Sequence, residues 1–183
     1  MALTYSSMLE LGSSLEKFNL LNTVSGNDFS SSELDEAKPS LIMFICNHCP
    51  YVIHYHDEIR RLANDFDNTI NMVAISSNDI KEYPQDDPDK MKELWAELGL
   101  SFPYLFDSTQ DVAKQYKAEC TPEFYLFDSS QKLVFRGRLD ESSPNSGIEP
   151  TGKDLRDAID NLISGKGINS NQLPSMGCNI KWI

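Results

Sequence analysis

The feature that most restricts this chain is the run Leu41-Ile42-Met43-Phe44-Ile45, lying between Pro39 and the pair Cys46 and Cys49. Five consecutive apolar residues with no polar alternation are the pattern of a strand buried on both faces, which makes this run the candidate for the central strand of a covered sheet. Just beyond the cysteines, Val52, Tyr55, Ile59, Leu62, Ala63 and Phe66 recur at helical spacing, so one stripe of a helix faces that sheet. The local order is buried strand, cysteine pair, helix.

The pattern extends in both directions. Upstream, residues 18–34 alternate loosely around Ser25-Gly26-Asn27-Asp28 and read as an N-terminal hairpin. Downstream, residues 70–75 read as a second buried strand. Asp87 as N-cap and Pro88 at the first helical position then open a helix with Met91, Leu94, Trp95 and Leu98 on one face. Residues 102–106 form a short strand candidate, and Ser108 with Asp111 is the expected cap of a helix carrying Val112, Ala113 and Tyr116. Two further strands, over 124–127 and 133–136, are joined by the turn Asp128-Ser129-Ser130-Gln131. Thr151 and Asp154 read as the capping box of a last helix whose stripe is Leu155, Ala158, Ile159, Leu162 and Ile163, stopping at Gly165. A tail, 165–183, follows.

This alternation predicts an α/β fold, with a mixed central sheet flanked by helices on both faces, an N-terminal hairpin and a crossover helix. At 183 residues the chain suits a single domain, burying roughly 70% of its unfolded surface, and no repeat or interdomain linker is visible. Apolar residues make up 40% and aromatics 10%, enough for a core without disulfide or metal staples. The first twenty residues lack the basic start and apolar run of a signal peptide, and no stretch approaches a membrane span, so the expected location is cytoplasmic. Four cysteines in such a compartment point to a catalytic or sensing disulfide rather than a structural framework. The formal net charge of -12 opposes binding to nucleic acid or anionic membrane. The acidic stretch over 82–97 carries no chemical reading of its own.

The segment Cys46-Asn47-His48-Cys49-Pro50 carries the chemistry. Two cysteines separated by two residues at a helix start put both sulfurs within disulfide reach, and unpaired N–H groups with the helix dipole should favour the thiolate of Cys46. A partly protonated His48 between them would favour it further and make the disulfide a stronger oxidant. In the resulting scheme Cys46 attacks a substrate disulfide and Cys49 resolves the mixed disulfide, so the redox centre is the Cys46–Cys49 disulfide itself and no other cofactor is needed. Pro50 is tolerated in the first helical turn.

The competing use of such a pair is half of a zinc site. No second cysteine pair exists, and His54 and His56 fall on the solvent face and flank of the helix, so no metal is expected. A crowded local site of Cys46, Cys49 and His48 remains the geometric alternative.

With a buried strand running into this motif and Thr121-Pro122 preceding a later strand, the chain resembles the thioredoxin superfamily, more narrowly the branch joining peroxiredoxin-like (AhpC/TSA) proteins to cytochrome-maturation thioredoxins. The resemblance covers about 11–164. It rests on Phe18-Asn19-Leu20 with the hairpin, on Cys46 to Pro50, and on Thr121-Pro122-Glu123-Phe124-Tyr125-Leu126-Phe127-Asp128 with the strand after it. It implies a cis Pro122 against the cysteine pair, with the backbone of Thr121 pairing with an extended substrate. Read without it, Pro122 is an edge or turn proline. The resemblance also offers Glu123 as a proton-transfer group near the resolving thiol, the alternative being an exposed strand end.

Three functions compete. The first is a thiol-disulfide oxidoreductase acting on protein or small-molecule disulfides with an upstream thiol reductant. The second is a peroxiredoxin-like peroxidase with Cys49 as the peroxidatic residue. Against it, Cys46 stands where peroxiredoxins have threonine or serine and Pro122 where their arginine lies, while Arg136 and Arg138 read as solvated. The third is a non-enzymatic metal-binding or adaptor domain. Copper delivery is disfavoured, because the related chaperones use a longer cysteine spacing and a downstream histidine, whereas all three histidines here lie within 48–56. Cys120 reads first as buried packing, with a place near the site as the alternative. Cys178 is either an accessory thiol folded back on the pair or a packed tail residue.

Overall fold

The structure is a computed structural model describing residues 3–183. Along the chain run β1 (Leu3–Tyr5), β2 (Asn19–Asn22), β3 (Asp28–Ser30), β4 (Ser40–Phe44), α1 (Pro50–His54), α2 (His56–Asp65), β5 (Asn71–Ser76), α3 (Pro88–Leu98), β6 (Tyr104–Phe106), α4 (Asp111–Gln115), β7 (Cys120–Thr121), β8 (Glu123–Phe127), β9 (Leu133–Gly137), α5 (Lys153–Ile163) and β10 (Met176–Asn179). Strand β4 is wholly buried, as its apolar run demands, between β5 in parallel and β8 in antiparallel pairing. The sheet order β3-β2-β6-β5-β4-β8-β9 makes it mixed, with both crossovers (β4 to β5 through α1 and α2, β5 to β6 through α3) parallel.

The period of two along β4 divides the core. Leu41 and Met43 face a cluster with Val52, Ile59 and Leu62 of the first helices, Met91 and Trp95 of α3, and Leu155 and Ile159 of α5. Ile42 and Phe44 face the other, with Val112 and Ala113 of α4, Tyr116, Tyr125 and the N-terminal Leu9, Leu15 and Phe18. Helices therefore cover both faces, and both hairpins, β2 with β3 and β8 with β9, form as the turn residues indicate.

The differences lie at helix ends and in the tail. The stripe from Val52 to Phe66 is interrupted at Tyr55, which closes α1 and opens α2 and donates its hydroxyl to the Ser142 carbonyl at 2.6 Å. Ser108 and Asp111 do not cap α4. The Asp107 carboxylate accepts from the Val112 and Ala113 N–H groups instead. Nor does the Thr151–Asp154 box form: Gly152 is the N-cap, Asp140 accepts from the Thr151 and Gly152 N–H groups, and Asp154 pairs with Arg138. In each case a buried carboxylate upstream of the helix, Asp107 immediately before Ser108 and Asp140 from the preceding loop, outcompetes the expected cap.

The tail is ordered and built in. Its strand β10 lies between β1 and β7 in a second, three-stranded sheet. Among the described residues no helix is long and apolar enough to cross a membrane.

Candidate active site

Cys46 lies in the loop beyond β4, and the first helix begins at Pro50, so Cys49 rather than Cys46 is the N-cap. That moves the electrostatic advantage expected for Cys46 one turn along. The Cys49 thiol is drawn down to about 5, first by a hydrogen bond from Cys46 and then, against burial, by the Cys178 thiol and the N–H groups of Val52 and Cys178. Cys46 is pushed up by that same bond, by burial and by the negative charge of Asp86.

Thr121 addresses both sulfurs. Its hydroxyl is 3.3 Å from Cys46 Sγ and its carbonyl oxygen 3.3 Å from Cys49 Sγ. A hydroxyl can donate to a thiolate, whereas a carbonyl can only accept from a thiol. A single proton shared by the pair is thus accommodated on either sulfur, and the two titrate as a unit. Thr121-Pro122 is cis, as the resemblance implied.

The loop between the cysteines is anchored by a residue that sequence reasoning missed. Asp86, wholly buried in a short 3-10 turn, accepts from the Asn47 N–H, His48 Nδ1 and Asn78 Nδ2, each at 2.8 Å. The His48 ring also stacks on Tyr83 with centroids 5.2 Å apart, and Asn47 is held by Gln85 and the Tyr104 hydroxyl. His48 is therefore held by Asp86 and Tyr83, and the causes that shift Cys46 and Cys49 are other groups than the imidazole expected to favour the thiolate. Asp86 sits among five other acidic residues over 82–97, so charge alone gave no signal; only burial separates it from them.

Cys46, His48 and Asp86 each bring one donor atom to within 4.8 Å of one another. Both Asp86 oxygens and His48 Nδ1 are committed to hydrogen bonds, so a metal would have to displace them. His54 is half-buried and 3.0 Å from the Ser142 hydroxyl, and His56 is half-buried with its pKa lowered by burial. Neither is the solvent-facing histidine expected.

Glu123 is buried, not an exposed strand end, yet it serves the opposite face from the sulfurs. Its carboxylate accepts from the Tyr125 hydroxyl at 2.7 Å and the Glu119 N–H at 3.0 Å, with Cys120 Sγ 3.9 Å away. Tyr125 belongs to the second core cluster, whereas Cys46 and Cys49 belong to the first. Cys120 is buried and its thiol is pushed far up by burial and by Glu123. Burial raises Glu123 to about 7 from the ordinary 4.5. An acid raised on folding adds stability below the unfolded value and loses it as pH rises through the folded one. Glu123→Gln can keep the N–H bonds through its oxygen while Tyr125 donates to the Tyr116 carbonyl. Between pH 4.5 and 7 the wild type is expected to lose about 2 kcal/mol relative to this variant, read from urea midpoints; parallel pH profiles would refute it.

The edge assigned to substrate is already filled. Strand β10 pairs with β7 so that Cys178 lies opposite Thr121, and Cys178 Sγ is 2.8 Å from Cys49 Sγ. All three thiols are buried, at 1%, 0% and 6% exposure for Cys46, Cys49 and Cys178. Arg136 donates to Leu9 and Gln172, and Arg138 to Asp154. Both arginines are engaged rather than solvated, with partners away from the sulfurs.

A buried dithiol at the end of a central strand, beside a cis proline in a mixed α/β sheet, defines a thioredoxin-superfamily protein of the AhpC/TSA type. Residues 10–151 match the Redoxin family, and the chain belongs to it. An uncharacterized conserved protein from Geobacillus kaustophilus is 47% identical with a TM-score of 0.97, covering 100% of this chain and 97% of that one. The thiol-disulfide oxidoreductase YkuV of Bacillus subtilis is 26% identical over 58% of this chain and 70% of its own length. A thioredoxin-like protein in its oxidized form shares the fold at a TM-score of 0.58 and 22% identity, over 73% of this chain and 82% of that one.

Proposed function

We propose that this chain is a thiol-disulfide oxidoreductase whose redox centre is the Cys46–Cys49 pair. The observation that carries the reading is the convergence of both sulfurs on Thr121, each at 3.3 Å and on a different oxygen. In the resting pair the thiolate is on Cys49 and the proton on Cys46. Transfer of that proton to Cys49, which donates it to the Thr121 carbonyl, leaves Cys46 a thiolate facing a hydroxyl donor and able to attack a substrate disulfide. The substrate's first thiol leaves and Cys46 carries the second as a mixed disulfide. Cys49, whose thiolate its helix position favours, then attacks Cys46 Sγ, releases that thiol and closes the Cys46–Cys49 disulfide. An upstream dithiol then attacks the Cys46–Cys49 disulfide, resolves the resulting mixed disulfide with its second thiol and leaves as its own disulfide, returning both cysteines to thiols.

Because β10 occupies the Thr121 edge, the substrates that suit the closed form are disulfides that need no strand pairing, approaching past Asn47 and His48, which are only half-buried. Among the described residues Cys46 and Cys49 are hydrogen-bonded to Thr121 and Cys178 rather than to a cation placed for peroxide, which supports the disulfide reading.

The test is turnover of a small mixed disulfide of glutathione with a thiol reductant in excess. Cys46→Ser is expected to lose roughly a hundredfold or more in rate. Cys49→Ser is expected to accumulate the mixed disulfide on Cys46. Wild-type turnover by Cys46→Ser would overturn the reading.

A further inference from the structure

Three thiols meet beside Pro122, and the third arrives on a strand placed as a substrate would be. Strand β10 runs antiparallel to β7 with Cys178 facing Thr121. This register brings Cys178 Sγ to 2.8 Å from Cys49 Sγ, within about 1 Å of the length of a disulfide bond.

The strand is held on both sides of Cys178. Before it, the Arg138 N–H donates to the Leu173 carbonyl at 3.0 Å and the Ser175 hydroxyl donates to the Gly137 carbonyl. After it, the Ile180 N–H donates to the Glu119 carbonyl at 3.0 Å, and the Lys181 N–H donates to buried Asn78 at 2.8 Å. The Lys181 carbonyl accepts from Gln110 at 2.7 Å and from the Asp79 N–H at 2.8 Å. Buried polar side chains committed to the last residues of a chain fix a position, and the atom whose position they fix is Cys178 Sγ.

We propose that Cys178 is a third redox thiol of this site, exchanging with the Cys46–Cys49 disulfide to form a Cys49–Cys178 disulfide; the proposal rests on the dithiol reading above. In the exchange the Cys178 thiolate attacks Cys49 Sγ. The Cys49–Cys178 bond forms as the Cys46–Cys49 bond breaks, and the electron pair leaves on Cys46 Sγ, which takes up the proton that Cys178 gave up. One disulfide replaces another, so no outside oxidant or reductant is consumed. Cys46 returns to its thiol form while the oxidising equivalents are stored one residue further in. Burial, the hydrogen bond to Cys49 and the charge on Cys49 push the Cys178 thiol up to about 12 in the reduced protein. The last two causes vanish once Cys49 is in a disulfide, so Cys178 ionises more readily when there is a bond for it to attack.

The experiment uses the full chain as wild type, Cys46→Ser and Cys178→Ser, each oxidised with excess oxidised glutathione, digested without reduction and mapped by mass spectrometry. Cys46 and Cys49 share one tryptic peptide and Cys178 lies on another. The two peptides are expected to be joined in Cys46→Ser and also in the wild type, while Cys178→Ser forms the internal Cys46–Cys49 disulfide. Unjoined peptides in Cys46→Ser, or joining there but never in the wild type, would overturn the third-thiol role and leave the dithiol standing. Failure of Cys178→Ser to form any disulfide would instead overturn the dithiol reading on which the proposal rests.

Discussion

Gly177→Ala is expected to drive the C-terminal strand off the Thr121 edge and open the dithiol to solvent. A Cβ at residue 177 would overlap the Thr121 carbonyl oxygen and lie 2.7 Å from its carbon and 3.3 Å from Pro122 Cδ. None of these atoms can yield as a flexible side-chain end would: two belong to the backbone carbonyl that also faces Cys49, and the third is in the rigid ring of Pro122. The cost of forcing in the methyl, about 2–3 kcal/mol, falls on the docked state alone and shifts the strand toward its undocked form despite the anchors on either side. The seven-stranded sheet contains neither β7 nor β10 and is expected to stay folded. Alkylation of Cys46 and Cys49 by iodoacetamide, mapped by mass spectrometry, is expected to speed up by about tenfold or more as the protecting equilibrium shifts. Unchanged labelling would show that β10 does not guard these sulfurs.

Asp86→Asn is expected to cost about 2–3 kcal/mol of stability although it preserves shape. One Asp86 oxygen accepts from the Asn47 N–H and the other from His48 Nδ1 and Asn78 Nδ2. An amide offers one oxygen and one NH2 group, so whichever way it is turned a donor faces a donor. Asn78 cannot flip to relieve this, because its own oxygen accepts from the Lys181 N–H at 2.8 Å. The same substitution loosens the Asn47-His48 loop, and disulfide turnover is expected to fall about tenfold beside the drop in urea midpoint. A variant of wild-type stability and rate would remove Asp86 from the account. Cooperative loss is also expected at the tail, since Asn78 joins the Asp86 network to Lys181 and so to the strand carrying Cys178.

The apolar run before Cys46 made the core of this fold legible. It demanded burial on both faces, and its alternating residues supply the two core clusters on either side of the sheet. The cysteine spacing likewise announced the dithiol, and the neighbourhood of Thr121-Pro122 came from resemblance rather than from any local pattern. What stayed hidden depended on contacts between distant residues. Asp107 and Asp140 cap helices that Ser108 and Thr151 were expected to cap, because a buried carboxylate, next door in the first case and from the preceding loop in the second, outbids an exposed side chain. Glu123 reads as a strand-end acid until the pleat puts it on the face opposite the sulfurs. The tail's sequence suggests no element, because it is rich in Gly, Asn and Ser. Gly177 is there for close approach to Thr121, and Asn179 and Lys181 belong to a docked strand and its anchor. Assigning the nucleophile's electrostatics to Cys46 failed for a simpler reason: the helix begins at Pro50, one turn later than assumed.

The central claim, that the cysteines beside Thr121 form a reversible redox centre, is tested most directly by counting thiols at equilibrium across a series of glutathione buffers. The reduced chain carries four. The account predicts a single reversible transition in which two are lost, whichever pair holds the disulfide, with Cys120 unreactive throughout. Four thiols persisting into fully oxidising buffer would contradict it.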